Sequence, residues 1–205
     1  MEKLARVLRA QGNHVVVTRE PGGTASGEQI RQLLLDTSTA GLAPLAELAL
    51  MFASRAQHIK EVVQPALAEG RIVLCDRFTD STEAYQGGGR KLGSEPVLAL
   101  HRILCGNLRP DLTILMDSDV AASVERARRR NRHHAAKHGR AHNDENRFEQ
   151  ESRVFFGRVR NAYLALAARE TQRVVLVNAR GTVEETHRQI VEIVRRKLKL
   201  PAKTA

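Results

Sequence analysis

Apolar residues fall along the chain in two rhythms. HVVVT at 14–18, RIVLCD at 71–76, LTILMD at 112–117 and RVVLVN at 173–178 are short and nearly continuous in apolar residues. Such runs mark strands covered on both faces, the habit of parallel sheets. Between them apolar positions recur every three or four residues over 26–35, 43–68, 94–105, 118–131, 144–169 and 182–198, the period of amphipathic helices. The alternation predicts an α/β fold, a single domain over 1–205 with a doubly wound parallel sheet between helical layers. The chain opens on a helix: Leu4, Val7 and Leu8 share one face, and Gly12 and Asn13 are suited to end it in a left-handed cap. A strand ordinarily precedes the first helix of such a domain.

Composition narrows the class. Hydrophobic residues make up 42% of the 205, enough for a core, but aromatics are only 3% and Trp is absent. Leu, Val, Ile and Ala must therefore fill that core. Cys75 and Cys105 have neither metal spacing nor a disulfide pattern, which fits a reducing cytoplasm. No apolar run approaches the roughly 20 residues of a membrane span, and the start lacks a signal-peptide pattern; no membrane partner is expected. The formal net charge of +10 predicts attraction to polyanions: nucleic acid, acidic membrane or phosphorylated small molecules. Arg126, Arg128, Arg129, Arg130, Arg132, Lys137, Arg140 and Arg147 crowd one region, and Arg195, Arg196, Lys197 and Lys199 end the last helix. The second cluster reads as a solvated helix end favoured by the macrodipole. RRRNRHHAAKHGRAHND, 128–144, reads as a basic flap between two helices. His134, His138 and His142 could chelate zinc if helical, but such flaps are more often solvated loops.

Four stretches carry candidate chemistry. Asp76 and Arg77 end the most apolar strand, and ligands of open α/β sheets bind beyond the carboxyl ends of the strands. A carboxylate there can hold Mg²⁺ directly or through water, and a guanidinium can clamp a phosphate; a structural ion pair is the equal alternative. TREPGG, 18–23, follows a strand and lets backbone approach a ligand closely, or is an ordinary turn. In MFASRAQH, 51–58, Phe52 and Arg55 lie three apart on one helix face and could stack on a base and bond its edge. A core Phe beside a surface Arg is the commoner outcome. YQGGGR, 85–90, does not follow a strand, so it reads as a hinge loop and not as a dinucleotide fingerprint.

Together, TREPGG, RQLLLD at 31–36, ELALMFASRAQH, PALAEGRIVLCDRFTDSTEAYQGGGR at 65–90, RPDLTILMD at 109–117 and NRFEQES at 146–152 resemble thymidylate kinase, the nucleoside monophosphate kinase family that makes dTDP from dTMP and ATP. The resemblance follows family order and covers most of the chain. It implies ATP and Mg²⁺ beside dTMP, a homodimer, and a basic lid at about 128–147. It further implies that Arg77 bridges the dTMP phosphate and the transferred phosphoryl, and that Asp76 is the acidic partner near Mg²⁺. Arg147 and Arg140 would be catalytic lid arginines. Glu20 would lie near the sugar and phosphate, and Arg31 would grip the phosphate. Arg55 would read the thymine edge and Phe52 would stack on it, although the family often carries its ring where this chain has Met51. Thr82 and Gln86 would touch the base, and Tyr85 would crowd the 2′ position. A nucleotide- or nucleic-acid-binding protein without catalysis is the alternative. The lack of aromatic residues around the basic stretch makes nucleic acid the less favoured partner.

The family opens with a strand and a G-x-x-x-x-G-K-S/T phosphate loop, and no Gly-Lys dipeptide occurs in these residues. The opening helix resembles the one that follows that loop. The expectation is therefore a fragment or truncated reading frame, with impaired transfer. The family's first strand lies between those matching 71–76 and 112–117, so its absence would leave a slot of roughly 9–10 Å, about two strand spacings.

Overall fold

The computed structural model describes residues 1–106, 108–117 and 147–199. The basic stretch with Arg140, the three flap histidines and the helix expected over 118–131 lie outside the described residues.

Helix α1, Glu2–Arg9, buries Ala5 and Leu8 and ends where expected. Gly12 has φ +84°, and the Asn13 side-chain amide donates to the Leu8 carbonyl at 3.0 Å. Strand β1 is Val15–Arg19 and β2 is Ile72–Asp76; they pair in parallel, Val15 opposite Ile72 through Arg19 opposite Asp76. Strand β3, Thr113–Asp117, pairs in parallel with β4, Val174–Asn178. All four strands fall within one residue of the predicted runs. Among the described residues no ladder joins the two pairs. The expectation of strands covered on both faces holds only in part. Val15 to Thr18 and Ile72 to Cys75 are half-buried, because each pair is two strands wide, and in β4 only Val174 and Val177 are buried.

The connecting helices are α2, Ala25–Leu35; α3, Pro44–His58, which runs through a π-helical turn at Ile59–Val63 into α4, Gln64–Ala68; α5, Thr79–Thr82; α6, Ser94–Cys105; α7, Arg153–Arg169; and α8, Val183–Lys197. Thr24 caps α2, and Thr182 with Glu185 forms a reciprocal capping box on α8. The helix predicted over 144–169 is interrupted. Residues Arg147–Gln150 make a short 3₁₀ turn, and Ser152 starts α7 afresh by accepting from the Phe155 N–H at 3.1 Å.

The 85–90 stretch is not a hinge. Glu83–Gly89 is a π-helical turn packed against α7. Its glycines permit the approach: a Cβ on Gly88 would come within 2.6 Å of the Ala162 Cβ, and one on Gly89 within 2.6 Å of the Phe155 ring. Two apolar clusters result. Leu48, Phe52, Ile59, Val97 and Cys105 form the first, between α3 and α6. Ala84, Phe155 and Val159 form the second, with Tyr85, Phe148 and Tyr163 against it. Among the described residues no helix is long and apolar enough to cross a membrane.

Candidate active site

The TREPGG turn leaves β1 and is bolted to the side of α3. Helical spacing puts Ser54, Arg55 and His58 on neighbouring positions of that side. Ser54 Oγ accepts from the Gly22 N–H at 3.1 Å, and Glu28 Oε1 from the Gly23 N–H at 2.8 Å. Gly23, at φ +82°, leaves room for the His58 ring, which a Cβ would meet at 2.7 Å. The Arg31 guanidinium donates to the Pro21 carbonyl at 3.2 Å.

Glu20 projects from this turn into the interior, 3% exposed. Its Oε2 accepts from Arg55 Nε at 2.6 Å, and its Oε1 lies 2.8 Å from His58 Nδ1. The other ring nitrogen, Nε2, meets Thr18 Oγ1 at 2.7 Å. Arg55 Nη2 donates to Thr82 Oγ1 at 2.8 Å. A buried polar chain thus runs Thr18–His58–Glu20–Arg55–Thr82. It has one loose end: Arg55 Nη1 is buried and has no hydrogen-bond partner among the described residues. A buried donor left unpaired costs about 1–3 kcal/mol, so the arrangement asks for an acceptor from outside.

The ring expected to stack on a base does not present a face. Phe52 is fully buried in the first cluster. The Arg55 guanidinium lies 4.7 Å from its centroid and 5.2 Å from that of Phe78. Phe52 thus supports the arginine from within the core.

At the end of β2, Asp76 is exposed, and its carboxylate carries no hydrogen bond or ion pair among the described residues. Its backbone carbonyl accepts from the Glu20 N–H at 2.9 Å, which sets the two loop starts side by side. Arg77 has φ +69°, a left-handed conformation uncommon for residues other than glycine. Such strain collects at functional sites. Its guanidinium lies 4.9 Å from the Tyr85 ring centroid, and Nη2 approaches the Tyr85 hydroxyl at 3.4 Å. Tyr85 is held edge-on by Phe148, Phe155 and Tyr163.

Gln86 and Arg147 belong to a separate constellation around Glu47, which is fully buried on α3. Glu47 accepts from Gln86 Nε2 at 2.8 Å, Arg90 Nη2 at 3.0 Å and Arg147 Nη2 at 2.7 Å. Arg147 Nε also donates to the Leu34 carbonyl at 2.7 Å. Burial alone would raise the Glu47 pKa, but the bonds from Arg90, Gln86 and Arg147 hold it below the ordinary carboxylate value. The structure places Arg147 as an anchor of the 147–150 turn, 4% exposed. It does not bring it to Arg77 by any contact among the described residues.

Glu20, His58 and Cys75 offer donor atoms within 4.8 Å of one another. Both Glu20 oxygens and both His58 nitrogens already have partners. Burial, and then Glu20, push the Cys75 thiol pKa up, away from the thiolate a metal needs. Mg²⁺, a hard cation that binds through one or two carboxylates and keeps its water, fits the unengaged Asp76 better. A surface hollow of about 370 Å³ lies elsewhere, between α3 and the end of α6, lined by Ala56, Ile59, Leu104 and Leu108.

Thr18, Ser54, His58, Glu47 and Arg90 are absent from the residues singled out in the sequence. The three-residue spacing of Arg55 and His58 in RAQH was the available signal; nothing in the sequence marks Glu47 as the partner of Arg147, a hundred residues away.

Comparison with known proteins agrees with this architecture. The family model for thymidylate kinase matches residues 1–190. A thymidylate kinase of Pelobacter propionicus is 48% identical over 188 residues, covering 92% of this chain and 83% of the relative. One of Pseudomonas putida is 50% identical over 187 residues, covering 91% and 84%. The crystal structure of thymidylate kinase from Ehrlichia chaffeensis superposes with a TM-score of 0.71 at 26% identity, covering 94% of this chain and 88% of that one. With a family model spanning most of its length and relatives near half identity, this chain belongs to the thymidylate kinase family.

Proposed function

We propose that this protein transfers the γ-phosphoryl group of ATP to dTMP, giving dTDP. The single observation that carries the reading is the unpaired, buried Nη1 of Arg55. Glu20 and Thr82 satisfy the rest of that guanidinium and hold it still, so the free N–H suits a carbonyl at the edge of a thymine. Thr82 lies beside it for the same base, while Gln86 reaches the ligand only if it shares its bond to Glu47. Arg77 and Arg31 supply cations for the acceptor phosphate, and the rigidly packed Tyr85 crowds the 2′ position, favouring a deoxyribose. Asp76 would hold Mg²⁺, which when bound neutralises charge on the ATP phosphates. What these residues do is position: phosphoryl transfer gains most from alignment and charge stabilisation.

The two parallel strand pairs, which no ladder joins among the described residues, are read as halves of one doubly wound sheet whose further strand, between β2 and β3, the family resemblance implies. A G-x-x-x-x-G-K-S/T cradle does not occur in the 205 residues. Residues 1–205 by themselves are therefore expected to bind dTMP but to transfer phosphoryl slowly. A homodimer in a reducing cytoplasm is the implied setting. The free cysteines and the exposed Ile103 and Leu104 on α6 support it.

Calorimetric titration with dTMP, and a coupled ADP-release assay with dTMP and ATP, test the proposal. The assay is run on residues 1–205 and on a version preceded by a strand and phosphate-loop segment. dTMP binding by both and faster turnover by the longer one are expected. Absence of dTMP binding and of turnover in both would overturn the reading.

A further inference from the structure

The chain Thr18–His58–Glu20–Arg55 contains a residue with no direct route to a ligand. His58 is fully buried on α3, and both of its nitrogens are spent inside the protein. A carboxylate can only accept, so Nδ1 donates to Glu20; the Thr18 hydroxyl, which can give or take a proton, satisfies Nε2. Glu20 is thereby held from two sides, by His58 on Oε1 and by Arg55 on Oε2. The Gly23 backbone packs against the same ring, too close to admit a Cβ. One imidazole thus sets both the path of the TREPGG turn and the orientation of the Glu20 carboxylate.

We propose that His58 is a positioning residue for base recognition. It holds the Glu20 carboxylate in the plane that locks Arg55 Nε, and so keeps Nη1 directed at the ligand. Without His58, Glu20 retains one strong bond but can rotate about its side chain. Arg55 then samples several orientations, and the ligand must bear the cost of ordering it. Outer hydrogen-bond partners commonly act this way, orienting a group that makes the contact.

The dTMP part of the test rests on the proposed function, and the first readout does not. The Nε–H of Arg55, bonded at 2.6 Å to a buried carboxylate, should give a slowly exchanging ¹⁵N–¹H signal in the ligand-free protein. Its absence from Arg55→Lys identifies it. His58→Asn keeps an N–H donor near the Nδ1 position, whereas His58→Gln places its amide nearer Nε2. The signal should persist in His58→Asn and broaden or vanish in His58→Ala and His58→Gln. dTMP affinity, by calorimetric titration, should fall about 10- to 100-fold in the last two and largely recover in His58→Asn. Should His58→Ala fail to fold, Thr18→Val, which leaves the imidazole in place without its Nε2 partner, should broaden the signal and weaken dTMP several-fold. An unchanged Arg55 signal in folded His58→Ala, His58→Gln and Thr18→Val, or dTMP affinity within twofold of the parent in all three, would overturn the proposal. The expected signal changes in a protein that does not bind dTMP would leave the positioning role standing and remove the kinase reading.

Discussion

Glu47 offers the sharpest check on how the fold is held together. Glu47→Ala removes a carboxylate with no solvent exposure that compensates Arg147, itself 4% exposed, and Arg90, whose side chain is 18% exposed. Arg90 keeps a second partner in Glu151 at 2.5 Å, so it can relax. Among the described residues Arg147 keeps the Leu34 carbonyl and the face of Phe148 at 4.6 Å. Breaking a buried ion pair by deleting one member costs about 3–5 kcal/mol, because the remaining charge is stranded. A protein of this size loses about 2–4 °C of Tm per kcal/mol, so the expected drop is roughly 6–20 °C. That is a large share of a stability of about 5–15 kcal/mol. Scanning calorimetry at neutral pH, with urea titration as a second measure, reads it. Glu47→Gln, which keeps shape and one acceptor, should fall between. The 147–150 turn and Gln86 should loosen together in Glu47→Ala, visible as faster amide exchange in both segments. A Tm within about 2 °C of the parent would mean that Arg147 finds water on losing Glu47, and that the pairing is incidental.

Two further outcomes follow from the same geometry. Burial alone would raise the Asp80 pKa, but the Arg173 fork at 2.7 and 2.8 Å and the Thr113 hydroxyl hold it below its ordinary value, as the network does for Glu47. Both carboxylates therefore add stability that is present above the ordinary carboxylate pKa of about 4 and lost as pH falls through the depressed native value. Tm followed from pH 7 to pH 2 should hold to about pH 5 and then decline. Asp80→Asn should start lower and decline less; an equal slope would exclude Asp80 as a source. Gly23→Ala meets a left-handed φ and the His58 ring together, costing about 1–2 kcal/mol for the backbone and about 1–3 kcal/mol for the clash. Gly12→Ala, at φ +84° with nothing within 4 Å, incurs the backbone cost alone, so the difference between their urea midpoints isolates the clash with the His58 ring and the Thr18 hydroxyl; equal midpoints would deny it.

Much of the framework is legible in the sequence because it rests on local chemistry. Strands β1 to β4 announce themselves as unbroken apolar runs, and α8 by its period and its Thr182–Glu185 box. The end of α1 is written in Gly12 and Asn13. Two readings fail where a local signal was ambiguous. Three successive glycines at 87–89 suggested a hinge, yet Gly88 and Gly89 serve close packing against Ala162 and Phe155, which only the neighbouring helix reveals. The long apolar period over 144–169 hid the Ser152 cap, because a capping serine in a polar stretch looks like any other. Phe52, three residues before Arg55, was weighed as a stacking ring against a core phenylalanine, and its full burial favours the second.

The amino-acid order by itself determined the elements, the strand–helix alternation and the family motifs in which Glu20, Arg55, Thr82, Asp76 and Arg77 stand. Side-chain period, capping and turn chemistry act over a few residues, so they can be read along the chain. The tertiary structure alone decided which polar groups are satisfied by which. Thr18 and His58 lie 40 residues apart, Glu20 and Arg55 35, and Glu47 and Arg147 100. In a buried site each donor must find an acceptor wherever the fold brings one, and that pairing depends on packing in three dimensions, which no local pattern encodes.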